Sequence, residues 1–446
     1  MSDLPPGPRA HPVVQTAQLT ASPVAYAERN RERFGGTFTA RLSRIGTMVF
    51  VSDPASIKTL FAADRVNTVS KGRNAVLEPI LGRRSLLVQA DAEHLSRRRL
   101  MLPPFHGDRM RAYQRTIERS TQREIAAWKV GETLPSHPAM QRITLEVIME
   151  AVFGVSESRS SQLREALTRV LAGTRSPLAF GLTYPALRRL PPYRGLLAQI
   201  GVTDSLLYAE IAERRADPEV AEREDILSML VCARDEEGEG LGDEELRDQL
   251  MTLLLAGHET TATALAWCFD QLLRSPDALE RLRAEIDEDA GDEWMDAVAA
   301  ETLRVRPVVP MVGRELRAPA EVDGWALDPG DSVMISIYLA HTREDLFPRP
   351  YEFDPGRFLG RKPDTYAWIP FGGGTRRCLG ASFAQFEMKV VLREILRSLD
   401  LAPGAAEPER IVRRNVTLSP RNGSPIRVVA RRPAASERPA REAALS

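Results

Sequence analysis

Apolar side chains recur at every third or fourth position along most of this chain, and this spacing predicts a mainly α-helical protein. Short alternating runs predict strands over residues 36–42 and 47–51, and again between residues 308 and 337, where Asp-Gly and Pro-Gly pairs mark turns. Helical spacing extends over residues 24–34, 54–63, 92–101, 108–128, 140–153, 158–173, 203–217, 223–235, 243–274, 276–288, 292–305 and 381–399. The pattern therefore predicts a large helical domain with a smaller β-rich region near the N-terminus.

The chain is predicted to be one domain, residues 1–446, because no linker or fixed repeat interrupts the pattern. We expect disorder only at the ends, over about residues 1–10 and 431–446, where Pro, Ala, Arg and Glu accumulate. Residues 341–370 are rich in proline and aromatic side chains and are too long for an ordinary loop, which predicts a functional role or special packing. Residues 173–201, broken by Pro and Gly, fit a mobile lid and a surface connection equally well.

Composition and charge exclude several classes of protein. The chain is 43% hydrophobic and 27% charged with a formal net charge of -1, so we expect no nucleic-acid partner. None of the 3 cysteines forms a C-x-x-C pair, which excludes a zinc ribbon and a dithiol redox motif. Neither a leader-like start nor an apolar window of about 18 residues is found, so we expect a cytoplasmic protein without a membrane anchor.

One thiol has an unusual setting, in the stretch FGGGTRRCLG over residues 371–380. Two arginines precede Cys378 and a predicted helix follows it, and both the cations and the helix N-terminus favour the thiolate. The glycines leave room for a flat cofactor to approach the sulfur. We therefore predict that Cys378 is a metal ligand. Cys232 and Cys268 lie among apolar residues at helical spacing, which predicts that both are buried and inert.

A polar cluster, AGHETT, interrupts the otherwise apolar helix predicted over residues 243–274. Gly257 lies in mid-helix and the hydroxyl of Thr260 can donate to a carbonyl one turn earlier, so the helix is predisposed to widen or kink here. The resulting groove would hold water and move protons through Thr260 and Glu259. Taken alone, the motif favours a simpler interpretation, a kinked helix with a solvated glutamate.

Two further pairs lie at helical spacing. Glu301 and Arg304 share a helix face at i and i+3, and Arg357 of the proline-rich segment offers a third partner. Buried together, these residues would pin the segment to the helix. His94 and Arg98 share a face at i and i+4, which suits an anionic ligand. The simpler interpretations are an exposed ion pair and a basic helix surface.

Together these motifs resemble those of the cytochrome P-450 superfamily, in the same order along nearly the whole chain, and the resemblance is to its soluble bacterial members. The AGHETT stretch is similar to the family's oxygen-activation motif, Glu301 and Arg304 to its E-x-x-R pair, and Arg357 to its meander arginine. The heme-binding signature F-x-x-G-x-R-x-C-x-G is matched at every defined position, by Phe371, Gly374, Arg376, Cys378 and Gly380.

The resemblance implies the cytochrome P-450 fold, with heme b (iron protoporphyrin IX) as cofactor. Cys378 would then be the axial ligand of the iron, which leaves no ligand role for His258, while Glu259 and Thr260 would deliver protons. Contacts to the cofactor are implied for His94, Arg98, Arg314 and Arg376, which would hold its propionates, and for Phe371, Gly374, Gly380, Ala256 and Gly257.

The activity implied is that of a monooxygenase, which inserts one oxygen atom from dioxygen into a hydrophobic small molecule by hydroxylation or epoxidation. A fatty acid, a terpenoid, a steroid and a polyketide are all open as substrates. A peroxide-using peroxygenase and a non-catalytic heme-binding sensor or recruitment domain are alternatives, although intact Glu259 and Thr260 disfavour both. Contacts to substrate are implied over residues 71–87, 173–201, 253–260, 308–312 and 416–418.

The electrons would come from a separate ferredoxin or flavodoxin with its NAD(P)H-dependent reductase, since the chain has no further Cys cluster and no G-x-G-x-x-G fingerprint. We expect the enzyme to be a monomer. An acidic electron donor would dock on a basic face near the thiolate, although a solvated charged surface is the simpler interpretation. The arginines available for such a face are Arg97, Arg99, Arg109, Arg111, Arg361 and Arg377.

Overall fold

Helices form most of the protein, as the apolar periodicity predicts. A computed structural model describes residues 4–43, 45–65, 68–69, 77–105, 109–154, 157–174, 182, 186–360, 363–414 and 416–433. Its helices are α1 (Pro12–Ala21), α2 (Pro23–Phe34), α3 (Pro54–Ala62), α4 (Glu78–Leu81), α5 (Asp91–Met101), α6 (Arg109–Ala126), α7 (Ser136–Phe153), α8 (Glu157–Thr174), α9 (Pro191–Ala216), α10 (Ile226–Cys232), α11 (Asp243–Leu273), α12 (Pro276–Glu288), α13 (Glu293–Val305), α14 (Ile337–His341) and α15 (Ala381–Ser398).

The strands form small sheets at the edge of this helical body. They are β1 (Phe38–Leu42), β2 (Gly46–Val51), β3 (Thr68–Val69), β4 (Thr133–Pro135), β5 (Met311–Leu316), β6 (Ala320–Val322), β7 (Trp325–Leu327), β8 (Ser332–Ser336), β9 (Leu399–Pro403), β10 (Ile411–Arg414), β11 (Thr417–Pro420) and β12 (Pro425–Arg431). The largest sheet has the order β1-β2-β8-β5-β3, so the N-terminal hairpin is completed by strands from the second half of the chain. Within it, β2 and β8 are parallel and the other neighbours are antiparallel. The fold is mainly α with a smaller β region, which confirms the predicted fold class.

Three segments differ from the expectations. Residues 4–10 lie against β1 rather than being disordered, because the Thr39 N–H donates to the Pro6 carbonyl at 3.0 Å. Helix α9 begins at Pro191, so the last part of the Pro- and Gly-broken stretch is helical; proline is tolerated in a first turn, where its missing N–H would have no partner in the helix. At the C-terminal end, Arg431 belongs to β12 and its guanidinium donates to the Trp128 carbonyl at 2.8 Å.

Some sequence predictions lie outside the described residues. They concern Arg361 of the basic face, residues 71–76, 175–181 and 183–185 of two implied substrate stretches, and the tail over 434–446.

Helix α11 runs through the centre of the molecule, and nearly every side chain between Glu245 and Leu273 is buried. It packs along α7, and Gly257 allows this approach, since a Cβ atom there would lie 3.3 Å from Ile148 Cδ1. The helix is α-helical from end to end, without the widening that the AGHETT stretch predicts. Within the described part of the chain, no helix is long and apolar enough to cross a membrane.

One guanidinium holds the proline-rich segment against α13. Arg304 and Glu301 are both 0% exposed and form a bidentate pair, with Nε 2.6 Å from Oε2 and Nη2 2.7 Å from Oε1. The other Arg304 N–H groups donate to the carbonyls of His341, Pro350 and Glu352 at 2.9, 2.7 and 3.1 Å. Every guanidinium N–H of Arg304 therefore has an acceptor. The pair is buried, and the simpler interpretation as an exposed ion pair is wrong.

The same cluster reaches the thiol loop through a buried histidine. Arg357 Nε lies 3.5 Å from Glu301 Oε1, as the motif predicts. His341 Nε2 accepts from the Ile369 N–H at 2.9 Å, so its Nδ1–H is the group that donates to the Arg304 carbonyl at 3.2 Å. Burial and the charge of Arg304 lower the pKa of His341 to about 3. A neutral imidazole thus connects α13 to Ile369, two residues before the thiol loop begins.

Replacing Arg304 by lysine should destabilise the fold. Lysine keeps the charge but loses the planar fork, so Glu301 and several carbonyls would be left buried without their donors. We expect the free energy of unfolding to fall by about 3 kcal/mol or more, measured as a lower urea midpoint. The control is Arg349→Lys, whose pair with Glu352 is 65% and 57% exposed; this variant should change stability by less than about 0.5 kcal/mol. Equal losses in the two variants would contradict the clamp.

His341 should make the protein sensitive to acid. The folded protein excludes a proton from His341 down to about pH 3, whereas the unfolded chain binds one near its ordinary pKa of 6.5. Stability is therefore lost as the pH falls from 6.5. Between about pH 6 and pH 4, we expect unfolding free energies of His341→Gln to fall less steeply than wild type by up to about 1.4 kcal/mol per pH unit. Parallel pH profiles would show that His341 binds its proton equally in the folded and unfolded states, and would contradict this prediction.

Candidate active site

Three consecutive glycines shape the thiol loop, residues 371–380, which connects the proline-rich segment to α15. Gly372 and Gly374 have φ angles of +66° and +65°, a conformation that other residues adopt only with strain. Gly373 lies against Phe61, where a Cβ atom would be 2.3 Å from the ring. The loop therefore needs glycine at all three positions, for backbone geometry at two and for close approach at the third.

This loop presents Cys378 just before α15. The Cys378 N–H donates to the Phe371 carbonyl at 2.9 Å, and the Gly380 N–H donates to the sulfur. The residue has exposed surface, yet burial raises the pKa of the thiol, against the lowering effects of Gly380, Arg98 and Arg377. Arg377 therefore lowers the pKa of the thiol, as expected, but burial outweighs this effect and the net shift is upward. A metal ion bound to the sulfur would itself displace the proton.

The AGHETT stretch turns one face of α11 toward an internal space. Ala256 is exposed, and Gly257 and Thr260 are half-buried, although the helix around them is enclosed by protein. The Thr260 hydroxyl donates to the Ala256 carbonyl at 2.7 Å, which is the local bond that the sequence predicts. His258 is buried on the other side, where its carbonyl accepts from Thr144 Oγ1 at 3.1 Å.

Glu259 is held by α7 rather than simply solvated. Its Oε2 accepts from Gln141 Nε2 at 2.6 Å, and its Oε1 lies 3.8 Å from His137 Nε2. His137 is buried and also lies 3.1 Å from Thr263 Oγ1. The carboxylate is thus a fixed polar group one position before Thr260 on α11. Sequence reasoning missed Gln141 and His137, because neither residue belongs to a motif.

His94, Arg98, Arg314 and Arg376 come together from α5, β5 and the thiol loop. His94 is 3% exposed, and its pKa is lowered to about 3 by burial first and then by Arg376, Arg98 and Arg314, with Asp64 opposing them. Burial is the largest cause, and the effects of the three arginines mean that these charges lie near the imidazole. The structure therefore groups the three arginines around a neutral His94, and their role in binding an anion stays a prediction.

The three arginines of this group differ in their partners. Arg314 forms a bidentate pair with Asp64, with Nε 2.7 Å from Oδ1 and Nη2 3.0 Å from Oδ2. Arg376 donates to the carbonyls of Leu86, at 3.1 Å, and Gln89. Arg98 has no carboxylate partner among the described residues, and burial lowers its pKa while Cys378 raises it. Arg98 is therefore the cation most in need of an anion.

A buried carboxyl group links the two sides of this space. Glu387 of α15 is 1% exposed and hydrogen-bonded to Thr261 of α11, and burial raises its pKa well above the ordinary value. Its Oε1 has no hydrogen-bond partner among the described residues. This bond lies where α11 packs against α15, so the helix that carries Thr260 lies beside the helix that begins just after Cys378.

The residues around this space fit a flat, iron-containing, anionic cofactor. Exposed Ala256 has only a small side chain, and exposed Cys378 offers a sulfur ligand. Arg98 offers a cation that pairs with no carboxylate in the described part of the chain. Heme b has a flat ring, an iron that accepts a thiolate, and two carboxylate side chains. Each otherwise unexplained feature of the site thus has a counterpart in that cofactor.

The predicted basic face is weaker than expected. Arg97 is paired with Glu245 at 2.6 Å and with Asp235 at 3.3 Å, and Arg99 is paired with Glu236 at 2.6 Å. Arg111 and Arg377 are exposed, and the side chain of Arg109 lies outside the described part of the chain. Of the other thiols, Cys268 is buried, as expected, but Cys232 is exposed at the end of α10.

Comparison with known proteins agrees with this site. The family model described as Cytochrome P450 matches residues 5–426. A protein of Mycobacterium tuberculosis with the provisional name cytochrome P450 135B1 is 44% identical over 414 residues, covering 91% of this chain and 87% of its own length. A second, provisionally named cytochrome P450 137, is 40% identical over 420 residues, covering 92% and 87%.

Comparison with solved structures leads to the same group of proteins. A solved structure of the retinoic acid-bound cyanobacterial CYP120A1 superposes with a TM-score of 0.84 and 25% sequence identity, covering 96% of this chain and 99% of its own. The family model, the mycobacterial relatives and this structure agree over nearly the whole chain. The chain belongs to the cytochrome P450 family, whose members are generally monooxygenases and whose cofactor is heme b.

Proposed function

We propose that this protein is a monooxygenase that inserts one oxygen atom of dioxygen into a hydrophobic small molecule. One observation carries the proposal: α15, which begins just after Cys378, packs against α11, which carries Thr260 and Glu259, and a cluster of arginines lies beside the thiol loop. Heme b supplies the oxygen activation when bound, helped by electron donation from a thiolate ligand. The protein's own groups hold the cofactor, admit substrate and supply protons.

Cys378 is the proposed iron ligand. The Gly380 N–H donates to its sulfur, which would stabilise the thiolate and moderate how strongly it donates electrons. The glycine loop and the His341 bond to Ile369 restrict the movement of the sulfur. Phe371, Gly374 and Gly380 are then residues of the cofactor cradle.

His94, Arg98 and Arg376 are proposed to hold the propionates. Arg98 supplies a half-buried cation that has no carboxylate partner among the described residues, and the neutral imidazole of His94 can donate one hydrogen bond. Arg376 keeps its backbone acceptors in the 86–89 segment and adds positive charge. On the α11 side, Ala256 and Gly257 leave room for the flat ring.

Thr260 and Glu259 are proposed to deliver protons. The Thr260 hydroxyl donates to the Ala256 carbonyl, so its oxygen is free to accept from a water molecule in the internal space. Glu259 is the nearest acid in sequence and is held by Gln141. A carboxyl group at that place can exchange protons with the outside and pass them to water bound by Thr260. A path that delivers protons favours dioxygen over peroxide as the oxidant, because peroxide already carries the protons that dioxygen lacks.

The substrate is proposed to be hydrophobic. Among the described residues implied to contact it, Leu253, Val308 and Leu418 are buried apolar side chains, and the Leu418 N–H donates to the Val308 carbonyl at 2.8 Å. These contacts bring β11 beside the start of β5 as one wall. The retinoic acid named in the cyanobacterial structure is a ligand of this class, and a fatty acid, a terpenoid, a steroid and a polyketide are all candidates here.

The electron donor is proposed to be a ferredoxin or flavodoxin with its NAD(P)H-dependent reductase. Arg377 is exposed next to the ligand, so it can attract an acidic protein to the thiolate side. The pairing of Arg97 and Arg99 with acidic residues reduces the positive charge available for that contact. The rate of electron transfer should therefore fall with rising ionic strength, but less steeply than it would if all six arginines lacked acidic partners.

Replacing Cys378 by serine should remove the thiolate signature. The dithionite-reduced wild-type protein with carbon monoxide should have a strongly red-shifted Soret band, because the thiolate donates electron density through the metal. Cys378→Ser should lose this band while keeping the helical circular dichroism spectrum. Cys232→Ser is the control, since this thiol is exposed on α10 and should leave the band unchanged. A wild-type protein that is folded and loaded with heme b but lacks the band would refute the proposed function.

Replacing Thr260 by alanine should uncouple electron consumption from product formation. The substrate for this test is a compound that shifts the heme spin state, found by screening fatty acids, terpenoids, steroids and polyketides. We expect product formed per NAD(P)H consumed to fall by about tenfold or more, with peroxide released in its place. Thr260→Ser keeps the hydroxyl and should keep most of the coupling. Unchanged coupling in the alanine variant would remove Thr260 from the proton path.

A further inference from the structure

A carboxylate occupies the arginine-lined edge of the site, although no sequence motif includes it. Asp64 lies on a short turn, Ala63–Arg65, that follows α3, and its side chain is only 2% exposed. We propose that Asp64 is a positioning residue that orients Arg314, anchors the thiol loop and balances the charge around the cofactor, and so tunes its reduction potential. This inference rests on the proposed function, because it takes the internal space to hold heme b.

The geometry of Asp64 joins two elements of the site. Its two oxygens accept from Arg314 Nε at 2.7 Å and Nη2 at 3.0 Å, a fork-to-fork pair that leaves the guanidinium one orientation. Its Oδ2 also accepts from the Thr375 N–H at 3.2 Å, three residues before Cys378. Asp64 therefore connects β5 directly to the thiol loop.

The approach of Asp64 to the loop is too close for any side chain between them. A Cβ atom on Gly374 would lie 2.1 Å from Asp64 Oδ2, and Gly374 also has a positive φ angle. Gly374 of the heme-binding signature is therefore required for two reasons in this chain, its backbone conformation and the close approach of Asp64. It lets a carboxylate lie against the loop that carries the iron ligand.

Counted over the described residues that act on His94, the charges near the cofactor edge balance when Asp64 is included. Arg98, Arg314 and Arg376 supply three positive charges, and His94 is neutral because its folded-state pKa is about 3. The two propionates of heme b supply two negative charges, and Asp64 supplies the third. In a poorly solvated site an unbalanced charge is costly, so a carboxylate at this place is expected from the number of arginines.

The other charges that act on this edge from the described residues are exposed or already paired. Asp91, which acts on Arg376, pairs with Arg317 at 2.7 Å with both side chains nearly half-exposed. Arg377, which acts on Arg98, is exposed. Water and salt screen such groups far more than the buried pair of Arg314 and Asp64, whose side chains are 4% and 2% exposed. Of the described carboxylates that act on this edge, Asp64 would therefore affect a bound cofactor more strongly than Asp91.

This role predicts an electrochemical effect with a definite sign. Reduction of the ferric protein adds one negative charge to the site. Removing the Asp64 charge leaves one positive charge in excess, which stabilises the reduced form and shifts the midpoint potential to more positive values. Removing the Arg314 charge has the opposite effect. Removing both restores the balance, so the potential of the double variant should lie close to that of wild type.

The experiment is a charge cycle on the heme-loaded full chain, with Asp64→Asn, Arg314→Gln and the double variant. Asparagine keeps an oxygen that can accept from Thr375, so the loop contact is preserved while the charge is lost. Midpoint potentials are measured by spectroelectrochemical titration. We expect a positive shift, a negative shift and a near return to the wild-type value, respectively.

The matched control is Asp225→Asn. Asp225 forms a buried ion pair with Arg214, with side chains 4% and 7% exposed, between α9 and the start of α10. It should lower stability as Asp64→Asn does, but it should leave the potential at the wild-type value. A shift equal to that of Asp64→Asn would mean that loosened packing, not charge, moves the potential, and would overturn the inference.

The outcomes separate this inference from the proposed function. A wild-type protein without the red-shifted carbon monoxide band would refute the function itself. A wild-type protein with the band but an unchanged potential in Asp64→Asn would refute only the role of Asp64. If Asp64→Asn does not retain heme b, Arg314→Gln carries the test. A midpoint potential of that variant equal to or more positive than that of wild type would overturn the charge balance.

Discussion

The fold around the active site depends on the buried guanidinium of Arg304. Its N–H groups bind Glu301 and three backbone carbonyls of an irregular segment that has little regular hydrogen bonding of its own. Through His341 and Ile369 the same cluster reaches the start of the thiol loop. A loop that must hold a sulfur at a metal without being a helix or a strand needs such external partners, because its entropy would otherwise favour many conformations. Arg304 thereby restricts the position of Cys378, although the two residues lie far apart in the sequence.

The site itself is governed by desolvation. Burial is the first cause of the altered pKa values of His94, Arg376, Cys378 and Glu387. In such surroundings each charge needs a partner, and the protein supplies Asp64 for Arg314 and carbonyls for Arg376. The groups of the site that remain without a partner are suited to a cofactor with a metal and two carboxylates. The same poor solvation makes single charges in this space effective in setting its chemistry.

Much of the fold and of the site could be predicted from the sequence, since both follow from local patterns. Apolar periodicity locates the main helices because each helix buries one face, and AGHETT is visible because polar residues interrupt α11. The partners of those motif residues could not be predicted. Asp64 lies 250 positions from Arg314, and Gln141 lies 118 positions from Glu259. Both are common surface residue types, and only the packing of α3 and α7 against the site gives them a role.

The sequence alone determines the chemistry that this chain carries: one thiol in a glycine turn, a hydroxyl beside an acid on a long helix, and a histidine–arginine pair. Backbone conformation and residue type are local properties, so they can be read directly from the sequence. The tertiary structure alone decides the electrical state of those groups. It raises the pKa of Cys378 where the adjacent arginines suggest a lower one, makes His94 neutral, and pairs Arg314 with a carboxylate. The reason is physical: charge states depend on how much water and which charges surround a group, and residues distant in sequence supply most of those surroundings.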